Sequence, residues 1–535
     1  MPIVPDRREA LKAAAGLILA GPLARTLRAD TTPPATGWVD GHAEGAKAGM
    51  EMLAAGGNAV DAAVTAALVA SVVAPFHCGP GGYGGSMIVA TADGHTIAGI
   101  DYNTVAPASL PSAPGSITQI GWKSVGVPGI PAGMQRALDR YGTKSFAEVV
   151  APAIRYARDG FPVTAQIVRS IREMQKRIAA DLGSAKLLLP GGEPPKLGSA
   201  FKNPELATML ETLAKRGSVE SFYKGDIAAK IAAAIQAGGG YVTAADMAAY
   251  EARDVKPVSL SWNNWAIHTP PPTAGGATAL EALGVLKVLK WNEWDQELPK
   301  FLTACVESLR LAWEDRLRFF ADPTKVDVPL DRLLGDAHAQ ELASKVLKAL
   351  RDNKPNPAWT DNRPANGTQH LSAVDRNGMM VALTLTHGGY FGAQVTVDGL
   401  GLTLGHGLSR FDREPGRANS AAPGKRPLHN MSPTVVFKDG RLTMALGGRG
   451  GRKIPNAVFE VLAQYVALGK APKQAITAPR IHTEGGLKVD LEKEWPESAA
   501  AGLQAAGYTV ARATSAVVSA VWRDPITRAV GGATR

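Results

Sequence analysis

Two adjoining stretches, 368–375 and 379–386, alternate between two sets of side chains with a period of two, which predicts a pair of strands. Between them lies Arg376-Asn377-Gly378, whose Asn-Gly pair is a strong hairpin signal. A slip of one residue would exchange the faces of a strand, so the pattern itself tests the register. With a three-residue loop, Asp375 faces Met379 and Thr368 faces Thr386. One face then carries Gln369, Leu371, Ala373, Met379, Val381, Leu383 and Leu385. The other carries Thr368, His370, Ser372, Thr384 and Thr386, with Val374, Met380 and Ala382 nearer the turn. In this register the Thr368 and Thr386 side chains share a face, about 5 Å apart at Cβ. Upstream, 351–367 is rich in Asp, Asn, Pro, Lys and Arg and reads as an exposed loop.

Helical periodicity governs much of the rest. Residues 43–73 predict one or two alanine-rich helices, broken at Gly56-Gly57 and restarted with Asn58 as a cap. From 145 to 350 the pattern is mostly helical, with amphipathic runs at 146–158, 205–215, 226–237, 277–288 and 302–320. A strand pair is expected within 256–268, where Trp262 and Trp265 read as core or rim packing rather than a ligand platform. Strands at 434–437 and 442–446 join through Asp439-Gly440, and Gly447-Gly448-Arg449-Gly450-Gly451 then leads into a helix from about Pro455 to Leu468. Glycines at a helix start let backbone N–H groups approach a ligand, and the helix dipole favours negative charge there. Residues 79–85 satisfy a Gly-x-Gly-x-x-Gly pattern, but this one follows a helix and opens a strand, the reverse of a dinucleotide fingerprint.

Composition narrows the class. At 535 residues and 45% hydrophobic content the chain can bury a large core, and length alone allows two to four domains. The net charge is +10, yet no Lys/Arg block carries interleaved aromatics, which argues for a solvated basic surface and against nucleic-acid binding. Arg7-Arg8 precedes the apolar run 13–24, the layout of a twin-arginine export signal within 1–30. That run is too short to span a bilayer, so no stable membrane insertion is expected, and export would be to the periplasm or beyond the cytoplasm. Cys78 and Cys305 read as two small buried thiols rather than a disulfide. The chain has no Cys-x-x-Cys and no His-Glu-x-x-His, and neither a metal nor a cofactor is expected.

Thr368 carries the candidate chemistry. If the Gly367-Thr368 bond is cut, the residue holds both a hydroxyl nucleophile and a free α-amine. The reference pKa of that amine, about 7.7 to 8.0, suits a general base near neutral pH. The Thr386 hydroxyl opposite is placed to orient the nucleophile.

At these residues the chain resembles the γ-glutamyltransferase family of N-terminal-nucleophile hydrolases. The resemblance runs from about Asp40 to the C-terminus and rests on Gly56-Gly57-Asn58-Ala59-Val60-Asp61-Ala62-Ala63, Val125-Gly126-Val127-Pro128-Gly129, Tyr223-Lys224-Gly225, Thr273-Ala274-Gly275-Gly276, Ala422-Pro423-Gly424-Lys425-Arg426-Pro427 and Met431-Ser432-Pro433-Thr434. It implies an α+β fold, a four-layer αββα sandwich. It also implies a precursor that cuts itself before Thr368 into a large subunit, 31–367, and a small catalytic subunit, 368–535, both in one domain. The family's oxyanion-hole glycines map to Gly450 and Gly451. The substrate is then a small-molecule acyl amide, γ-glutamyl or related, and water or an amine accepts the acyl group.

The departures bear on the acyl pocket. The family arginine that holds the substrate α-carboxylate aligns with Asn103, and the acid that holds its ammonium aligns with Arg410. The amide-bearing positions align with Gly388 and Gly407, and the paired serines become His429 and Asn430. A reversed charge at about 4 Å is worth several kcal/mol in a partly buried site and disfavours an ammonium. An acidic acyl group that Arg410, Arg449 or Arg452 could pair is one consequence. The short loop 412–424 implies an open pocket with a bias towards hydrolysis. The alternatives are an acylase or small-amide hydrolase without γ-glutamyl specificity, and a non-catalytic exported relative.

Overall fold

The period-two segments become strands of two six-stranded sheets in the computed structural model, which describes residues 36–111, 115–294, 300–359 and 367–535. The first six are β1 (Gly37–Asp40), β2 (Gly84–Ala90), β3 (Ile97–Asp101), β4 (Arg253–Val255), β5 (Val258–Trp262) and β6 (Trp265–Thr269). The others are β7 (Gln369–Asp375), β8 (Met380–Thr386), β9 (Thr434–Lys438), β10 (Arg441–Arg449), β11 (Val517–Arg523) and β12 (Val530–Thr534). One sheet runs β1-β7-β8-β2-β3-β4 and the other β12-β11-β10-β9-β6-β5. Each sheet therefore takes strands from both sides of the Gly367-Thr368 bond.

The hairpin adopts the register of the three-residue loop. Met380 lies opposite Val374 and Leu385 opposite Gln369. The Asp375 amide donates to the Met379 carbonyl at 3.1 Å. The strands themselves begin one residue later than expected, at Gln369 and Met380. Asp375 closes the turn: its carboxylate accepts from the Asn377 and Met379 amides, and its other oxygen accepts from the Ala59 amide. That last contact ties the hairpin to the start of a helix, where the dipole favours an anion.

Alternation along the hairpin explains the layers. Leu371, Ala373, Val381, Leu383 and Leu385 pack with helices α1 (Ala43–Ala54) and α2 (Ala59–Val73). Val374, Met380 and Ala382 face the other sheet and pack with Val435, Phe437, Ala445 and Val521. The outer side of that second sheet, through Val436, Met444, Leu446 and Val518, is covered by α3 (Gly276–Val288), α4 (Lys300–Phe319), α5 (Asp336–Asp352) and α6 (Ile454–Leu462). The order is helix, sheet, sheet, helix, the expected α+β sandwich. Helix α2 is capped as expected, with the Asn58 side chain accepting from the Val60 and Asp61 amides.

Three expectations change. The run 277–288 is not amphipathic in effect: every residue from Gly276 to Leu286 is buried, because α4, α5 and α6 all pack on α3. Gly447 and Gly448 do not open the helix but extend β10. A Cβ on Gly447 would stand 2.3 Å from the His370 ring, so the glycine makes room between the sheets for that imidazole. His370 is bonded through Nδ1 to Thr384 (2.7 Å) and through Nε2 to Ser372 (2.9 Å), and burial lowers its pKa to about 3, leaving it neutral. Lastly, α5 continues to Asp352, shortening the expected loop, of which 360–366 lie outside the described residues.

Both cysteines are buried free thiols, and Trp262 and Trp265 belong to the core. The expected export signal lies outside the described residues, among which no helix is long and apolar enough to cross a membrane.

Candidate active site

Thr368 immediately precedes β7, and the hairpin register brings Thr386 opposite it. The Thr368 hydroxyl donates to Thr386 Oγ1 at 3.3 Å. Thr386 in turn donates to the carbonyl oxygen of Gly367, the residue just before Thr368, and accepts from the Gly388 amide at 2.8 Å. One hydroxyl thus touches the candidate nucleophile and polarises the carbonyl that this nucleophile would attack. Gly367 has φ +96°, and a Cβ there would stand 2.8 Å from the Gly389 backbone, so the peptide is held in a shape that glycine alone fits.

Thr368 is largely buried but opens onto a cavity of about 440 Å³ that Gly367, Gly450, His77, Tyr390 and Arg449 also line. Gly450 follows the last residue of β10 with φ +138°, and a Cβ on it would stand 2.8 Å from Ala516 Cα. Gly451 (φ +66°) begins the short 3-10 turn Gly451–Lys453 that leads into α6. Gly450 therefore lines the same cavity as Thr368, with Gly451 next to it at the entry to a helix, where the dipole favours negative charge.

The cavity wall is cationic. Arg452 pairs with Glu484 (2.5 Å) and Lys453 with Asp490 (3.6 Å). Burial pushes the Glu484 carboxyl up, but His482 and Arg452 outweigh it and leave the pKa below its ordinary value. Arg449 is different: its guanidinium makes no hydrogen bond or ion pair among the described residues. Burial lowers its pKa, with Tyr390 opposing, and a guanidinium remains charged. His77 is held neutral, its pKa lowered to about 3 by burial and then by Arg449. The Gln369 amide donates to His77 Nδ1 at 3.1 Å, which leaves the ring proton on Nε2. His77, Tyr390, Lys453, His482 and Glu484 were not singled out from the sequence. Only the Arg-Gly-Gly-Arg-Lys run around Gly450 signals any of them.

The four carried-over acyl-pocket positions lie apart from this wall, among a second set of contacts. Asn103 is fully buried, donating to Thr273 Oγ1 (3.0 Å) and the Pro427 carbonyl (2.6 Å), and its Oδ1 accepts from the Thr104 amide. The His429 amide donates to the Thr273 carbonyl, while Arg316 donates to the His429 carbonyl (2.8 Å) and to Asn430 Oδ1 (3.2 Å). The His429 ring is buried, its pKa is lowered to about 3 by burial and then by Arg316, and neither ring nitrogen has a hydrogen-bond partner among the described residues. Arg410 donates to Ser409 Oγ, which bonds His406 Nδ1 at 2.7 Å. A Cβ on Gly388 would stand 2.5 Å from His406 Nε2, so Arg410 connects through His406 to the strand end that bears Thr386. No residue of 412–424 lines the Thr368 cavity.

Among the described residues, one group brings metal-type ligand atoms within 4.8 Å of one another: Glu281, Asp315 and His338, on α3, α4 and α5. Their contacts read as an ion pair. His338 Nε2 is 2.7 Å from Asp315 and 3.6 Å from Glu281; the hydrogen bond to Asp315, with Glu281 beside it, raises the His338 pKa to about 9, and burial pushes Glu281 well above the carboxylate range.

A protein-family model described as Gamma-glutamyltranspeptidase matches residues 45–534. The glutathione hydrolase proenzyme of Escherichia coli (strain K12) is 32% identical over 459 residues, 81% of this chain and 78% of that protein. The acylase ACY 1 proenzyme of Pseudomonas sp. (strain V22) is 33% identical over 506 residues, 90% of this chain and 88% of that protein. Among solved structures, a cephalosporin acylase from Bacillus halodurans superposes with a TM-score of 0.86 at 26% identity, covering 97% of this chain and 98% of that one.

Proposed function

The chain belongs to the gamma-glutamyltranspeptidase family, and from that premise we propose that Thr368 becomes its nucleophile when the precursor cuts its own Gly367-Thr368 bond. The enzyme is a hydrolase and acyltransferase of the N-terminal-nucleophile kind acting on a small acyl amide. One observation carries the assignment of residues: Thr368 Oγ, Thr386 Oγ and the Gly367 carbonyl form a single run of contacts at a cavity that Gly450 also lines.

In maturation, Thr368 Oγ attacks the Gly367 carbonyl carbon while Thr386 donates to the oxygen on which negative charge develops. The C–N bond breaks, the hydroxyl proton passes to the leaving nitrogen, and an ester remains. Water opens the ester to a Gly367 carboxylate and a free Thr368 α-amine. In turnover, that amine takes the proton from Thr368 Oγ and gives it to the departing amine. The Gly450 and Gly451 amides hold the oxyanion, and water or an amine then takes the acyl group. The subunits 31–367 and 368–535 stay together, a reading supported by the way each sheet draws strands from both. Residues 1–30 direct export through a twin-arginine signal.

Arg410, His429, Asn430 and the loop fixed by Asn103 form the far end of the acyl pocket. The unpaired ring nitrogens of His429 support this, since buried polar atoms are rarely left without a partner. A second reading, an acylase without γ-glutamyl specificity, is favoured by two observations. Arg410 stands where an acid would hold an ammonium, and Arg449, which lines the Thr368 cavity, has no partner among the described residues. Both suit an acyl donor with an anionic end.

The test is acid-quenched mass spectrometry of matured protein incubated with acyl anilides. The peptide that begins at Thr368 should gain the acyl mass. Turnover without that adduct and undiminished in Thr368→Ala would overturn the assignment. Rates on γ-glutamyl, glutaryl and neutral acyl anilides separate the two readings.

A further inference from the structure

At the opposite end of the hairpin from Thr368, three turns converge. They are the β7–β8 turn with Arg376, the β9–β10 turn that ends at Arg441, and the β11–β12 turn with Arg523 and Arg528. These four arginines line one cavity of about 540 Å³. The turns come from both sheets, and contact between them is direct. A Cβ on Gly378 would stand 2.6 Å from Arg523 Nη1, so the Arg523 guanidinium lies over the β7–β8 turn. Arg441 reaches the Pro525 carbonyl at 3.4 Å.

None of the four makes an ion pair among the described residues. One carboxylate, Asp93, lines the cavity with them, and it already accepts from Thr91 Oγ1 (2.7 Å) and the His95 amide (3.0 Å). Elsewhere on this surface arginines find acids: Arg136 with Asp254, Arg216 with Asp226, Arg512 with Glu497. Four guanidinium groups gathered from three distant sequence positions, against the one carboxylate of Asp93, set up a positive potential in a concave space. A planar guanidinium fork matches phosphate or carboxylate oxygens two at a time.

We infer that these turns form a second ligand site, separate from the catalytic cavity, for a small multivalent oxyanion carrying two or more phosphate or carboxylate groups. The volume lies within the range of small-molecule sites. Along β7, at about 3.3 Å per residue, the eight positions from Thr368 to Arg376 place the site about 26 Å from the nucleophile. Occupancy therefore leaves the acyl chemistry sterically free. The ligand is held by charge and by fork geometry, not by apolar burial, so its binding weakens steeply as salt rises.

Isothermal titration of the matured protein at low ionic strength tests this, with tripolyphosphate in one arm and citrate in the other. Saturable one-to-one binding of either anion is expected, and the tighter of the two identifies the oxyanion type. Arg523→Gln/Arg528→Gln should weaken binding at least tenfold while leaving the melting curve and the hydrolysis of an acyl anilide unchanged. A control, Arg172→Gln/Arg177→Gln, removes the same charge from exposed positions on the helix Ala165–Ile178, away from these turns, and should change binding less than twofold. Absence of saturable binding by both anions, or equal weakening by the two double variants, would overturn the inference. The readout is binding, so it stands or falls independently of Thr368.

Discussion

Replacing Thr386 by valine keeps the shape and β-branching of a strand residue and removes one hydroxyl. That hydroxyl has three contacts: it accepts from Thr368 Oγ1 at 3.3 Å and from the Gly388 amide at 2.8 Å, and it donates to the Gly367 carbonyl. In the ground state the main loss is the Gly388 amide, left buried without an acceptor, which costs about 1 to 3 kcal/mol. Against a typical unfolding free energy of about 5 to 15 kcal/mol, the precursor still folds. In the transition state of self-cleavage the loss is of a donor aimed at a developing oxyanion, about 2.7 to 4 kcal/mol. Cleavage should then slow about 100- to 1,000-fold. Thr386→Ser restores the hydroxyl and should mature within about tenfold of the wild-type rate. The assay is a time course of purified precursor by denaturing mass spectrometry. Urea unfolding of Thr368→Ala with and without Thr386→Val isolates the stability effect. A Thr386→Val precursor that folds normally and cleaves at the wild-type rate would refute the relay.

Gly450→Ala forces a side chain onto φ +138° and against Ala516, displacing the amide proposed to hold the oxyanion; acyl-anilide turnover should fall about 100-fold or more in protein that has matured. Arg449→Gln removes a guanidinium that has no hydrogen-bond or ion-pair partner among the described residues. Its melting temperature should stay near wild type, while kcat/KM falls about tenfold or more for acyl donors with an anionic end and little for neutral ones. For His338 the folded pKa, about 9, lies above the ordinary 6.5. Its ion pair with Asp315 therefore adds stability that is whole below pH 6.5 and lost as pH rises through about 9. The rise itself corresponds to about 3 kcal/mol, which partial solvent screening reduces to about 1 to 2. Denaturant titrations at pH 6.5 and 9.5 should show that loss in wild type and not in His338→Gln.

The hairpin was legible because two physical signals coincide there, a two-residue period that fixes faces and an Asn-Gly turn that fixes the loop. Together they set the register that puts Thr368 opposite Thr386 before any coordinates. The layer order came only with the family resemblance; the structure accounts for it by the apolar residues on both faces of the hairpin near its turn. What the chain's pattern could not disclose depends on neighbours far away in sequence. The helix 277–288 reads as amphipathic because Glu281 and Lys287 interrupt it, yet three helices bury its length and Glu281 finds Asp315 and His338 in the interior. Gly447 and Gly448 read as helix-entry glycines, when one of them clears space for His370 on a strand from the facing sheet. The isolation of Arg449 is likewise invisible in sequence, since an unpaired guanidinium is defined by what does not approach it.

The most direct measurement is the N-terminal sequence and mass of the chains present in purified protein after prolonged incubation. Two fragments are expected, one ending at Gly367 and one beginning at Thr368, with Thr368→Ala remaining a single uncleaved and inactive chain. A single intact polypeptide that hydrolyses acyl anilides, or a cut at any other bond that yields full activity, would contradict it.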